Sequence, residues 1–303
     1  MINPLDGLDF GLGAWQWGDR FYWGYGQGYS EADLRAAFEA SLAAGITLVD
    51  TAEVYGQGQS ERFLGRFARE AGQPVVIATK FMPFPWRLSK GALKNALRAS
   101  LDRLGLPSVD LYQMHWPFPP VPVETWMEAM ADEVQSGRIR AVGVSNYNLD
   151  QTRRAYTALK QRGLPLASNQ VPYSLLDRTI EKNGLLALCQ ELGVRVIAYS
   201  PLAQGLLTGK YSPAHPPPGL RGARYGRQVA KIEPLINLLR QLGEQHDGKS
   251  PTQVALNWTM CKGTLPIPGA KNMAQARQNA GALGWRLTAE DVARLDAASD
   301  RIA

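Results

Sequence analysis

Three short apolar segments of this chain each end in a side chain that can do acid–base chemistry. The first ends at Asp50, with Tyr55 on the loop beyond it, the second at Lys80 and the third at His115. The segments are too short for helices, and the first is rich in β-branched residues, as buried strands are. The intervals between their ends have the length of one strand-plus-helix unit. The pattern therefore predicts three consecutive parallel strands that carry an acid, a base and an imidazole to one edge of a sheet.

The rest of the chain repeats the alternation of strand and helix. Further strands are predicted at residues 139–146, 166–170, 194–200, 265–269 and, weakly, 284–286. A glycine-punctuated segment at 8–18 precedes them and predicts a short N-terminal β-hairpin or an entry strand. Eight such units predict the α/β class and a (β/α)8 TIM barrel, a single domain over residues 1–303. Barrels of this kind place their active sites at the carboxyl ends of the strands.

Composition and charge exclude several classes of protein. Of 303 residues, 45% are hydrophobic and 20% charged, which is typical of a globular protein. No apolar run approaches the roughly 18 residues of a membrane helix, and residues 1–6 lack the start of a signal peptide. We therefore expect a cytoplasmic protein without membrane contact, or one from an organellar stroma if a transit peptide is removed. The net charge of +6 comes from scattered Lys and Arg, which favours a small anionic ligand over nucleic acid.

Motifs for metals and for common nucleotide sites are weak. Cys189 and Cys261 lie in helical patterns without partner spacing and are interpreted as reduced structural thiols. The chain has three histidines and no His or Cys cluster, so no metal site is predicted. It contains no Gly-x-Gly-x-x-Gly fingerprint, and residues 205–210 imitate a P-loop that is one residue too short. The sequence does not indicate an oligomeric state.

The side chains at the strand ends form a chemically consistent group. Singly, Asp50 could cap a turn, Lys80 could be solvated and Tyr55 could pack on the rim. Together, Asp50 and Lys80 would pair, and the ammonium would lower the pKa of Tyr55 so that this phenol can exchange a proton. His115 would hydrogen-bond the oxygen on which negative charge develops. A site with an acid but without nucleophile or metal suits carbonyl reduction, provided that a hydride donor lies alongside.

The four residues Asp50, Tyr55, Lys80 and His115 resemble the catalytic tetrad of the aldo-keto reductase superfamily. Further motifs of that family follow in order along most of the chain. The resemblance implies an oxidoreductase that uses NADPH/NADP+ to reduce an aldehyde or ketone, with Tyr55 as the proton donor. Asp50 and Lys80 would tune Tyr55, and His115 would orient and polarise the carbonyl group.

The resemblance also implies a set of cofactor-binding residues. Ser145, Asn146 and Gln170 would hold the nicotinamide carboxamide, and the ring of Tyr199 would stack on the nicotinamide. The long Gly-, Pro- and Arg-rich segment at 202–228 resembles a loop that covers the cofactor pyrophosphate. Arg221 and Arg224 in this segment either help to bind the pyrophosphate or are ordinary solvated side chains. The complete predicted set is Ala14, Trp15, Ser145, Asn146, Gln170, Tyr199, Ser200, Pro201, Leu202, Gln204, Gly205, Leu207, Lys210, Gly269, Lys271, Asn272, Gln275 and Asn279.

Two questions stay open in the sequence. Lys271 and Asn272 lie where a strand meets a helix N-terminus, which favours the phosphate of NADPH, although relatives often carry arginine at Gln275. Four tryptophans on predicted strand-end loops are expected to line an apolar substrate pocket, or else to pack the loops themselves: Trp15, Trp23, Trp86 and Trp116. A cofactor-binding regulatory subunit with weak reductase activity, similar to potassium-channel β subunits, is the alternative to an enzyme. A cofactor-free barrel hydrolase is a more remote one.

Overall fold

A computed structural model describes residues 3–217 and 220–302 of the chain. Its described strands form one sheet of eight parallel strands in sequence order. They are β1 (Gly11–Gly13), β2 (Leu48–Asp50), β3 (Val76–Phe81), β4 (Val109–Met114), β5 (Ile139–Ser145), β6 (Leu166–Pro172), β7 (Arg195–Tyr199) and β8 (Leu265–Pro266). A parallel bridge between Gly13 and Gly269 joins the two ends of the sheet. The expected (β/α)8 barrel is confirmed.

Helices follow the strands around the outside of the barrel. They are α1 (Glu31–Ala43), α2 (Gln59–Ala71), α3 (Lys90–Leu104), α4 (Val123–Gln135), α5 (Leu149–Gln161), α6 (Thr179–Lys182), α7 (Leu185–Leu192), α8 (Leu220–Gln245), α9 (Pro251–Cys261), α10 (Met273–Ala280) and α11 (Ala289–Asp300). The capping boxes that begin with Ser30, Ser250 and Thr288 are all formed. At Ser250 and Thr288 two side chains each satisfy a backbone N–H at the start of the helix, and at Ser30 the Asp33 side chain accepts from the Ser30 N–H. No helix in the described part of the chain combines the length and the apolar character needed to cross a bilayer.

The predicted N-terminal β-hairpin is wrong for the described residues, because that segment contains the first barrel strand. Gly11 and Gly13 pair in parallel with β2. A Cβ on Gly13 would lie 2.7 Å from the carbonyl oxygen of Ile267, and one on Gly11 would lie 2.9 Å from the Ile267 side chain. The glycines that suggested turns therefore permit the close approach of β1 to the chain beyond β8.

Two other segments differ from expectation. The eighth barrel strand is β8, and residues 284–286 form none, because the backbone groups of Trp285 and Leu287 are bonded by the Asn257 side chain. The long predicted loop is also interrupted, by a 3-10 turn at Ala203–Thr208 and by α8. The side chains of Arg221 and Arg224, together with residues 218 and 219, lie outside the described part.

The inside of the barrel has two chemically different layers. Its amino-terminal half is filled by apolar side chains, namely Leu5, Leu48, Ala78, Leu111, Ala141, Ala167, Ile197, Leu265 and Ile267. The carboxyl-terminal half contains Asp50, Lys80, Gln113 and Gln170, all buried. Side chains alternate along a strand, so Asp50 lies on the same inward face as Leu48, and Lys80 on the same face as Ala78. The fold thus buries a polar layer directly above an apolar one.

Candidate active site

Lys80 lies at the centre of the polar layer and has no exposed surface. Its ammonium donates hydrogen bonds to the Asp50 carboxylate, to the carbonyl oxygen of Thr51 at 2.8 Å and to the hydroxyl of Tyr55 at 3.3 Å. An ammonium has three N–H donors, so all of them are used. Burial opposes the charge, but Asp50 and Tyr55 together outweigh it and raise the pKa of Lys80. Lys80 is therefore a fixed positive charge beside the phenol.

Asp50 is held in place by two amides as well as by the lysine. Its Oδ2 atom accepts hydrogen bonds from Nε2 of Gln113 at 2.9 Å and from Nε2 of Gln170 at 2.8 Å. Gln113 was missed by the sequence analysis, although a glutamine inside a short buried strand was a visible signal. Gln170, which we predicted to hold the nicotinamide carboxamide, directs its amide nitrogen to Asp50 in this structure. These bonds satisfy a carboxylate that would be costly to bury alone.

Tyr55 completes the group with His115. The Lys80 ammonium lies 4.9 Å from the centre of the Tyr55 ring, and that ring is edge-on to His115 at a centroid distance of 5.8 Å. The four residues predicted from separate strand ends are thus in contact at one rim of the barrel. The expected lowering of the Tyr55 pKa is wrong: burial and, less strongly, Asp50 raise it, and they outweigh the opposite effect of Lys80. Tyr55 is therefore a protonated phenol at physiological pH.

His115 is a neutral imidazole in this environment. Burial and the charge of Lys80 lower the pKa of His115 to about 3. Its Nδ1 atom is buried and has no hydrogen-bond partner among the described residues. Its backbone is fixed on both sides, because its N–H donates to Phe81 at 2.9 Å and its carbonyl oxygen accepts from Asn146 at 3.0 Å. The ring is thus positioned by the rim and can hydrogen-bond a ligand.

The predicted cofactor residues occupy the remaining arc of the same rim. The tetrad belongs to β2, β3 and the end of β4, whereas the cofactor set follows β1 and β5 to β8. The residues on the first part of this arc are Ala14, Trp15, Ser145, Asn146, Gln170, Tyr199, Ser200, Pro201 and Leu202. Asn146 connects the two arcs: its Nδ2 donates to the carbonyl oxygen of His115 at 3.0 Å, and its Oδ1 accepts from the Tyr199 hydroxyl at 3.0 Å.

The 3-10 turn after β7 contains Gln204, Gly205 and Leu207, with Lys210 just beyond it. Leu207 is fully buried in the core, so only its backbone can face a ligand. Gln204 accepts a hydrogen bond of 2.5 Å from the hydroxyl of Tyr22, which lies on the loop after β1. This bond joins two loops across the rim and was not visible in the sequence.

The turn between β8 and α10 is built by the side chains predicted to bind phosphate. Asn272 caps α10 by accepting from the Gln275 N–H at 3.0 Å, and the Gln275 side chain accepts from the Lys271 N–H at 2.9 Å. Asn279 donates to the carbonyl oxygen of Gly269 at 3.2 Å. Lys271 reaches back to the Trp23 carbonyl oxygen at 2.7 Å. A helix N-terminus with a lysine beside it fits the phosphate groups of a dinucleotide.

The four predicted pocket tryptophans separate into two groups. Trp15 stacks on Tyr22 at 5.4 Å, meets Trp23 edge-on at 5.3 Å, and lies 6.4 Å from the Tyr55 ring. Trp86 stacks on Phe84 at 4.8 Å and is 74% exposed, and Trp116 stacks on Phe118 at 5.7 Å. The structure therefore brings Trp15 next to the tetrad with Trp23 packed against it, while the other two form separate stacked pairs on the loops after β3 and β4.

Comparison with known proteins agrees with this geometry. A family model described as "Aldo/keto reductase family" matches residues 9–300. The chain is 42% identical to a chloroplastic pyridoxal reductase of Arabidopsis thaliana, over 98% of this chain and 85% of that protein.

Solved structures show the same fold. An aldo-keto reductase from Klebsiella pneumoniae in complex with NADPH superposes with a TM-score of 0.74 at 32% identity, covering 95% of this chain and 90% of the other. A glycerol dehydrogenase from Gluconobacter oxydans gives 0.83 at 28% identity, with 97% and 91% covered. The strand-end tetrad, the barrel and these matches together show that this chain belongs to the aldo/keto reductase family, whose cofactor is NADP(H).

Proposed function

We propose that this protein reduces aldehydes with NADPH, and that Tyr55 gives a proton to the carbonyl oxygen. The observation that carries the proposal is the direction of the hydrogen bond at Tyr55: its oxygen accepts from Lys80 at 3.3 Å. The phenol proton is therefore not used by Lys80 and can go to a substrate. Because the pKa of Tyr55 is raised by burial, the proton is present at physiological pH. Lys80 then stabilises the phenolate that remains.

His115 would orient the substrate rather than transfer a proton. A neutral imidazole with a pKa of about 3 can donate one hydrogen bond to a carbonyl oxygen without adding a charge. Its ring lies beside Tyr55, so both side chains can approach the same oxygen atom. Asp50 does not face that position, because both of its oxygens are bonded to Lys80, Gln113 and Gln170. Its role is to keep Lys80 charged and in place.

The residues of the other arc would hold NADP(H). Bound there, the dinucleotide supplies the hydride that reduces the carbonyl carbon. Ser145 and Asn146 lie at the tetrad end of the arc, where polar groups can hold the nicotinamide carboxamide, and Lys271 lies at the far end with the N-terminus of α10. The first turn of that helix presents backbone N–H groups to an anion, and Lys271 adds a positive charge for a ribose phosphate.

For the substrate we propose an aromatic aldehyde, with pyridoxal as the first candidate. Trp15, Trp23 and Tyr22 form an aromatic cluster beside Tyr55, and a flat ring would stack there. The Arabidopsis relative at 42% identity is named a pyridoxal reductase, which supports this choice.

The test is an assay of the purified protein with NADPH and a panel of aldehydes, followed by the loss of NADPH absorbance. We expect turnover of pyridoxal and benzaldehyde, with kcat/KM about tenfold above that of propanal because of ring stacking. An equal kcat/KM for propanal would contradict the proposal of an aromatic substrate, but it would not contradict the proposed reductase activity. Binding of NADPH, seen as a fluorescence change, without turnover of any aldehyde would instead favour the regulatory subunit.

A further inference from the structure

Two buried carboxylates, one on either side of Tyr55 in the chain, fasten its loop to β3 and to the residue that follows β3. Glu53 accepts from the Met82 N–H at 2.7 Å and pairs with Arg87. Glu61, in the first turn of α2, accepts from the Thr79 hydroxyl at 2.6 Å and from Arg103 Nε at 2.6 Å. Thr79 directly precedes Lys80 in β3.

Glu61 is the more deeply buried of the two. Its side chain has no exposed surface, and that of Arg103 is 18% exposed. Removing two charges from water is costly, and apolar residues of similar volume are often as stabilising as a buried pair. Stability alone therefore gives little reason for a charged pair at this position, which lies between α2, α3 and β3.

Arg103 packs against the backbone turn that follows Tyr55. Gly56, Gln57 and Gly58 have φ values of 53°, 57° and 83°, in the left-handed region that a residue with a side chain such as Gln57 enters at a cost. A Cβ on Gly58 would lie 2.6 Å from the Arg103 side chain. Arg103 thus packs directly against this turn while its guanidinium is fixed by Glu61 and by Ser100 Oγ at 3.0 Å.

We infer that Glu61 and Arg103 are positioning residues, which set the distance between the Tyr55 hydroxyl and the Lys80 ammonium. Neither has a described hydrogen bond or ion pair with a member of the tetrad. They act through the shape of the 55–58 turn and through Thr79, the neighbour of Lys80. The inference rests on the proposed role of Tyr55 as proton donor, because it names what keeps that donor beside the lysine.

The matched control is a second buried pair of the same kind at the other end of the barrel. Arg138 Nε lies 2.5 Å from Glu133, with 28% and 5% of the two side chains exposed, just before β5. The test compares the double variants Glu61→Gln/Arg103→Met and Glu133→Gln/Arg138→Met. In the first, the glutamine can still accept from Thr79. Melting temperature, NADPH affinity by fluorescence, and kcat for pyridoxal or benzaldehyde are measured for both.

We expect the Glu61/Arg103 variant to lose at least about tenfold in kcat, because a small misplacement of a catalytic group is costly. NADPH affinity should stay within about twofold of wild type, since the turn lies outside the cofactor arc. The loss of kcat at alkaline pH should move to higher pH, because Tyr55 is then less affected by the Lys80 charge. The Glu133/Arg138 variant should show none of these changes.

Arg103→Lys gives a milder test that keeps the charge and does not depend on the double variant folding. It should retain most of kcat and the wild-type alkaline limit, whereas Arg103→Met alone should not. If the Glu61/Arg103 double variant matched the Glu133/Arg138 variant in kcat and in alkaline limit, or if Arg103→Lys and Arg103→Met behaved alike, the positioning role would be refuted. Failure of the proposed function is seen separately, as absent aldehyde-dependent NADPH oxidation in the wild-type protein, and it would remove this inference too.

Discussion

The two halves of the barrel interior are built on the same strands, and on each strand the residues that fill them are only two positions apart. Leu48, Ala78 and Leu111 fill the amino-terminal half, and the next inward positions on β2 and β3 are Asp50 and Lys80. The apolar half gains free energy by leaving water. The polar half loses solvation and recovers part of it through the hydrogen bonds of Asp50 and Lys80. The comparison suggests that one half supplies stability, and the other uses part of it to hold a charged site.

The strongest test of this division is Tyr55→Phe in the polar half. We expect kcat to fall by about 10²–10⁴, the range for removal of a general acid, because the ring remains and only the transferable proton is lost. Melting temperature and NADPH affinity should stay close to wild type. The measurement is kcat at saturating NADPH together with a fluorescence titration of the cofactor. A variant that reduces a good substrate at the wild-type rate would show that Tyr55 is not the acid.

The opposite test is Leu111→Ala in the apolar half. Leu111 is fully buried, and loss of its methyl groups leaves a cavity, so we expect the free energy of unfolding to fall by about 2–5 kcal/mol. The kcat of the folded protein should change by less than about twofold, because the polar layer above has its own hydrogen bonds. Urea unfolding and steady-state kinetics measure the two effects. A large loss of kcat without a loss of stability would contradict the division between the halves.

Lys271→Glu extends the comparison from the barrel interior to the rim. If Lys271 contacts the extra phosphate of NADPH, the KM for NADPH should rise roughly ten- to hundredfold while the KM for NADH changes little. The control is Lys160→Glu, which reverses an exposed charge near the end of α5 at a residue outside the predicted cofactor set. Equal effects on both cofactors would refute the phosphate assignment.

The smallest effect concerns pH. His115, with a pKa of about 3, stays neutral through the physiological range, and Tyr55, with its pKa above its ordinary value of 10.0, stays protonated. The rate of reduction should therefore be constant between about pH 6 and pH 9 and should fall only at higher pH, as the proton donor is lost. Preincubation at each pH controls for unfolding. A change in kcat near 6.5, the ordinary pKa of histidine, would show that His115 is less shielded than the structure indicates.

Much of the site could be predicted because parallel strands impose order. Asp50, Lys80 and His115 follow three neighbouring strands, and the carboxyl ends of such strands must share a rim. The two predictions that failed, the N-terminal hairpin and a strand at 284–286, concern segments without that regularity. The glycines of β1 indicate turns as readily as close strand packing. The backbone around residues 284–286 is bonded by the Asn257 side chain, which no local pattern reveals. The extent of the domain, the location in the cell and the roles of the cofactor residues remain predictions.

The amino-acid sequence by itself determined the fold, the family and the identity of the four tetrad residues, because each depends on local periodicity and on the order of strands. Only the tertiary structure decided how those residues are held. Gln113 and Gln170 reach Asp50 from other strands, and Arg103 reaches Gly58 from α3. The sign of the Tyr55 pKa shift was decided in the same way. The balance between burial and a neighbouring charge depends on how the surrounding elements pack, and no spacing in the chain records it.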